Sequence, residues 1–176
     1  MSDRGNSWVR RLFRTKLVIQ PLSKSIFSCN GFSLIRSIIK KEQIPKNFQN
    51  NLLNPTKIYT NEVLKLIDKN LINACAHITG GGLIENLYRS IPNHLSLNIN
   101  FSNIKILKIF KWIKSKNISD KEMIRTFNCG VGFCLIAPRK NILKIKKIFN
   151  KKFKPYEIGF ISKDKKKIQL MGSLKW

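Results

Sequence analysis

The chain has 176 residues, 43% of them hydrophobic, and its 34 Lys and Arg against 9 Asp and Glu give a net charge of +25. That length and apolar share fit one domain with its own core, and no apolar run approaches the ~18 residues that a membrane-spanning helix needs. The charge would suit nucleic acid, an anionic membrane or phosphorylated ligands. However, the excess is mostly Lys spread over helix faces, as at Lys144, Lys146, Lys147, Lys151 and Lys152, and it accompanies abundant Ile and Asn. AT-rich codons enrich those three residues together, whereas a nucleic-acid module interleaves Arg and aromatics. Codon bias is therefore preferred, and nucleic-acid and membrane partners are not expected.

The first twenty residues carry Trp8, Arg10, Arg11, Phe13 and Arg14 and few acids. A transit-like presequence is one reading, but no long apolar region or small-residue cleavage site follows. Residues 1–18 are read as an atypical N-terminal extension. Asn30-Gly31 is a turn signal, and Ser33 is a candidate cap for a helix through Lys40. Residues 41–56, with Pro45 and Pro55, read as a loop. Thr60 is a candidate cap for a helix whose Val63, Leu64, Ile67 and Leu71 recur at helical spacing. Ala74–Ile78 reads as a short strand, Gly80-Gly81-Gly82 breaks it, and Leu83–Ser90 forms a helix stopped before Pro92. Leu95, Leu97, Ile99 and Phe101 alternate as in a half-buried strand. A helix is expected over 103–116, a long strand over Phe127–Ala137, and a Lys-rich helix over 140–152. Tyr156–Ile161 and Lys167–Met171 look like a hairpin closed at Lys163–Lys166. This alternation predicts an α+β (α/β layered) fold, a mixed sheet packed with helices. Cysteines 29, 75, 129 and 134 form no CxxC pair and read as reduced core residues of a cytoplasmic protein, with no metal site.

The sharpest chemical signal is the run from Ala74 to Asn86: a strand, three glycines, then a helix start. First-turn N–H groups have no partner inside a helix, and the dipole makes that end positive. Glycines let backbone approach an anion closely, so the loop can cradle a phosphate. Thr79 could donate a hydroxyl. His77 could stabilise an oxyanion or pass a proton, and Glu85 could hold a sugar hydroxyl, a metal or an amino group. The competing reading is a tight turn, with Glu85 complementing the dipole and His77 satisfied in the core. The loop is neither a Walker loop nor GxGxxG. In Arg125–Phe133, Gly130 and Gly132 would share one strand face with Asn128, leaving a flat surface for a ligand or for close helix–sheet packing. Residues 28–36 read as a capped helix and 53–59 as a proline turn. His94 reads as a loop residue, and Trp176 has no assigned role.

Four blocks in order carry a resemblance: SCNGFSLIR at 28–36, LLNPTKIY at 52–59, AHITGGGLIENLYR at 76–89 and EMIRTFNCGVGF at 122–133. Together they resemble phosphoribosylformylglycinamidine cyclo-ligase (aminoimidazole ribonucleotide, or AIR, synthetase), specifically its C-terminal half, over residues 19–170. Selenophosphate, thiamine-phosphate and hydrogenase-maturation relatives share that fold, but RTFNCGVG and PTKIY argue against them. The resemblance implies a C-terminal-like domain over 19–176 and no counterpart of the family's N-terminal ATP-binding half with its DGVGTK-like loop. The family's LxSSGxHSNG stretch reads LSKSIFSCNG at 22–31, with Ile26 at the glycine position and Ser28 at the histidine position.

The implied reaction starts with ATP, accompanied by Mg²⁺, phosphorylating the formyl amide oxygen of formylglycinamidine ribonucleotide. An amidine nitrogen then attacks that carbon, phosphate leaves and the imidazole ring closes, a step of de novo purine biosynthesis. The full-length family implies a homodimer. A separate chain carrying the N-terminal half would be the partner of a split or truncated enzyme. His77 and Glu85 are the expected catalytic residues. Asn30, Gly31, Thr79, Gly80, Gly81, Gly82, Arg89, Arg125 and Asn128 are expected to bind substrate or phosphate. The alternative is a catalytically inactive remnant that acts as a basic module binding RNA or an acidic partner.

Overall fold

The computed structural model describes residues 31–46, 48–49, 58–149, 153–163 and 168–176, and Thr15–Pro21 as backbone. Residues 1–14, Asn30, Cys29, most of the LLNPTKIY block and most of the turn expected at Lys163–Lys166 lie outside the described residues. Among the described residues six strands form one sheet: β1 (Thr15–Pro21), β2 (Ala74–His77), β3 (Ser96–Asn100), β4 (Val131–Pro138), β5 (Tyr156–Ser162) and β6 (Ile168–Met171). The helices are α1 (Phe32–Lys41), α2 (Thr60–Asp68), α3 (Gly82–Arg89), α4 (Lys108–Lys114), α5 (Asp120–Thr126) and α6 (Ile142–Ile148). The strand order is β2-β4-β1-β5-β3-β6. Every neighbouring pair is antiparallel except β3 and β6. This is the expected mixed sheet packed with helices.

Alternation along β2 and β4 distributes the core to both faces. Ala74, Ala76, Cys134 and Ile136 pack into a cluster with Leu83 and Leu87 of α3. Cys75, Phe133, Leu135 and Ala137 face Val63 and Leu66 of α2 and Ile142 and Ile145 of α6. A third cluster joins Ile35 and Ile38 of α1 to Ile109, Phe110 and Ile113 of α4 and Met123 of α5. Burying about a dozen such side chains at ~1.5–3 kcal/mol each supplies the main force holding helices to sheet.

Several local expectations differ from the structure. Ser33 and Thr60 do not cap. The N-cap residues are Gly31, at φ 86°, and Tyr59, neither of which makes a side-chain cap bond. The strand around Leu97 is buried on both faces, with Ser96 and Asn98 buried alongside Leu97, and Asn98 Nδ2 donates to Ser162 Oγ at 2.8 Å. β5 and β6 are not a hairpin, because β3 lies between them and pairs β6 in parallel. The helix expected over 103–116 is shorter, preceded by a 3₁₀ turn at Phe101–Asn103. The strand expected from Phe127 begins only at Val131. β1 crosses the boundary drawn between residues 18 and 19 and lies in the middle of the sheet. Trp176, given no role from sequence, packs against two of the clusters.

Candidate functional site

The site begins at the edge of the sheet, where β2 ends. His77 stands opposite Phe133 of β4 in the antiparallel register. Their rings stack with centroids 5.9 Å apart and planes 26° from parallel. Tyr59 meets His77 edge-on at 5.8 Å and Phe133 at 5.0 Å. Tyr59 is buried and His77 keeps an exposed side. Burial lowers the His77 pKa below its ordinary 6.5, because desolvation penalises the imidazolium, so the ring is neutral at pH 7. A neutral imidazole can donate from one nitrogen and accept at the other.

After His77 the chain is pinned and then turned. Ile78 N–H donates to Gly132 O at 2.9 Å, and Gly82 N–H donates to Thr79 O at 3.1 Å, closing a four-residue turn. Gly81 has φ 84° and ψ −2°, the values demanded at the third residue of a type II turn, and Gly82 follows at φ 65°. A side chain at either residue would be strained. Gly82 also lies so close to the Ile124 carbonyl of α5 that a Cβ there would collide with backbone. The loop is therefore packed on the end of α5, which carries Arg125.

Glu85 and Arg89, one turn apart on α3, form an exposed ion pair at 3.6 Å. The Glu85 carboxylate also lies beside Gly81, at the positive end of the helix. Asn86, passed over in the sequence, points inward and donates from Nδ2 to Gly80 O at 2.9 Å and Gly82 O at 2.7 Å. Only its place one turn into the helix marked it, and a polar residue there reads equally well as solvated.

The Arg125–Phe133 block adopts a different form from the flat strand face expected of it. Cys129 has φ 51° and Gly130 φ 95°, so residues 128–130 form a turn before β4. Asn128 is buried, and its Oδ1 accepts from Gly130 N–H at 3.0 Å. The Arg125 side chain is exposed. Gly31, at the start of α1, sits directly against the Phe127 ring. Residues from all four sequence blocks thus meet at one end of the sheet. Gly31 touches Phe127, Gly82 touches the end of α5, and Tyr59, His77 and Phe133 share an aromatic cluster. Thr79 and Gly80 lie half-buried between them. Asn30 is outside the described residues.

A cleft of about 520 Å³ is lined by Ser102, Asn103, Lys105, Lys111, Glu157 and Lys175, and none of the expected site residues borders it. A void of about 10 Å³ beneath Asn128, Phe127 and Leu83 is part of the core. No group of three or more His, Cys, Asp or Glu side chains that could hold a metal ion occurs among the described residues. No helix among them is long and apolar enough to cross a membrane.

Comparison with known proteins fits this geometry. A phosphoribosylformylglycinamidine cyclo-ligase of Lactobacillus helveticus is 37% identical over 162 residues, covering 83% of this chain and 46% of the relative. One from Prochlorococcus marinus is 42% identical over 142 residues, covering 74% of this chain and 41% of the relative. The chain spans less than half the length of either relative. The fold is shared with thiamine monophosphate kinase of Aquifex aeolicus, solved with AMPPCP and TMP. That likeness has TM-score 0.56 and 14% identity, over 93% of this chain and 49% of the kinase. The family described as AIR synthase related protein, C-terminal domain, matches residues 17–170. Over that span, which runs from within β1 to within β6, the chain belongs to this family.

Proposed function

We propose that this chain is the C-terminal-domain part of an ATP-dependent cyclo-ligase. The enzyme would convert formylglycinamidine ribonucleotide to aminoimidazole ribonucleotide in cytoplasmic de novo purine biosynthesis. The observation that carries the reading is the convergence of the four blocks at the end of β2 and β4, around a glycine loop opening a helix. Cyclo-ligase relatives at 37% and 42% identity support the reaction class. The kinase of like fold was solved with an ATP analogue, which supports nucleotide use.

In this reading the loop 79–82 and the start of α3 receive a phosphate group through backbone N–H groups. Arg89 and Arg125 add positive charge near it, and Gly31 borders the same region. Asn128 acts from inside, by holding the turn that follows α5. His77, neutral and half-open, orients the reacting amide or carries its proton as the ring closes. Glu85 holds a substrate hydroxyl or amino group once Arg89 is drawn to the phosphate. Such chemistry depends on positioning and on stabilising charge. ATP would find its remaining contacts in the family's N-terminal half, within a homodimer. For Mg²⁺ the described carboxylates do not fit: Glu85 pairs with Arg89, and no acidic cluster stands beside the loop.

The test is turnover of formylglycinamidine ribonucleotide and ATP by the chain alone and by the chain mixed with the N-terminal half of a full-length relative. Activity in the mixture is expected, and a folded but inactive mixture overturns the reading. Binding of a phosphate ligand unchanged by His77→Ala and Glu85→Ala overturns those two assignments.

A further inference from the structure

The shape of the glycine loop is set from within the helix that follows it. One nitrogen, Asn86 Nδ2, holds the carbonyls of Gly80 and Gly82 at 2.9 and 2.7 Å. Asn86 lies one turn into α3, so both carbonyls point along the helix toward its C-terminus. In a trans peptide the N–H points opposite to the C=O, and no described peptide is cis. The N–H groups of Gly81 and Leu83 therefore point the other way, off the start of α3. The unpaired N–H groups of a first helical turn face in that same direction.

The 80–81 peptide is the one at risk. It is the central peptide of the 79–82 turn, and type I and type II turns differ by rotation of that peptide. Glycine at both of its ends leaves the rotation nearly unrestricted. Rotation would replace the Gly81 N–H with the Gly80 carbonyl, an acceptor facing an anion. The side-chain amide of Asn86 holds Gly80 O in place.

We propose that Asn86 is a positioning residue for a phosphate monoester or inorganic phosphate. It fixes the 80–81 peptide so that Gly81 and Leu83 N–H face the anion. The inference rests on the phosphate reading of the loop given above. The experiment titrates inorganic phosphate into the ¹⁵N-labelled full chain at constant ionic strength, following backbone amides by NMR, with thermal melts of every variant. In the wild type the Gly81 and Leu83 amides shift saturably. Asn86→Ala removes the donor, and Asn86→Asp replaces it with an acceptor of the same shape. Both weaken phosphate about tenfold, the worth of one lost charge-assisted N–H contact, at a temperature where both are folded. Asn86→Gln keeps the amide one methylene further out and falls between.

A purely structural role would lower the melting temperature and leave the affinity of the folded protein unchanged. That result overturns the inference while the phosphate reading stands. Loop amides of the wild type that ignore phosphate overturn both. If the Ala and Asp variants do not fold, Asn86→Gln decides, and an affinity equal to that of the wild type refutes the positioning role.

Discussion

Gly82→Ala tests the packing of the glycine loop on α5. At φ 65° an alanine adopts a left-handed conformation that costs about 1–2 kcal/mol. Its Cβ would also enter the space of the Ile124 carbonyl oxygen, a backbone atom that cannot swing aside. Forcing α3 away from α5 adds about 1–3 kcal/mol, the usual range for overpacking. The total is about 2–5 kcal/mol. Gly81→Ala is the control, with similar strain at φ 84° but a Cβ whose nearest neighbours are side-chain atoms of Glu85 rather than backbone. The two variants should differ by the overpacking alone. At about 2–4 °C per kcal/mol for a chain of this size, Gly82→Ala should melt about 2–12 °C below Gly81→Ala. Thermal denaturation followed by circular dichroism measures this directly. Equal melting temperatures would refute the argument that Gly82 is required by contact with α5 rather than by backbone angle alone.

Three more outcomes are expected. His77 has a folded pKa below its ordinary 6.5, so below about that pH the unfolded chain takes up the proton first and stability falls; above it the residue contributes no slope. Urea midpoints for His77→Gln should show a shallower loss of stability than the wild type as pH drops from 7 to 5. Ser119 Oγ accepts from Glu122 N–H at 3.1 Å at the start of α5, so Ser119→Ala should destabilise by about 1 kcal/mol in chemical denaturation. Asp120 is held below its usual carboxylate pKa of 3.8 chiefly by Lys114 at 2.7 Å, and its contribution is present above that value and lost as pH falls through the folded pKa. Because the pair is solvent-exposed, Asp120→Asn should cost less than about 1 kcal/mol at pH 7. Its denaturation midpoint should approach that of the wild type at pH 3.

The residues that were legible in the sequence are those whose environment is local. Ala74–His77, the glycine break and α3 were readable because an apolar run, a turn and a helical repeat follow one another without help from distant chain. The Asn128–Gly130 turn was not readable, because Phe-Asn-Cys-Gly-Val-Gly is as apolar as a strand. What separates it is a positive φ at Cys129 and one Asn128 side-chain bond. The false hairpin at β5 and β6 has a similar cause. Two alternating segments around a charged turn look locally like partners, and the choice of β3 instead is made by backbone pairing some 70 residues away. α5 was missed although Ser119 and Glu122 have the Ser-x-x-Glu spacing of a helix start. Tyr59 joined the site only through tertiary contact with His77 and Phe133. Asn86 was hidden because nothing in sequence says which way a helical Asn points.

The position of β1 has a consequence for how the protein is made. Thr15 pairs with Pro138, 123 residues later, and Lys16 pairs with Phe160. At about 5–20 residues per second, a ribosome reaches the first of those partners about 6–25 s after β1 has been synthesised. During that interval both edges of the strand that will stand inside the sheet are bare, and bare edges recruit other strands. Closure of the sheet is thus a late event that waits on the last quarter of the chain. Refolding from denaturant should be slow for a protein of this length, as expected where pairings are distant.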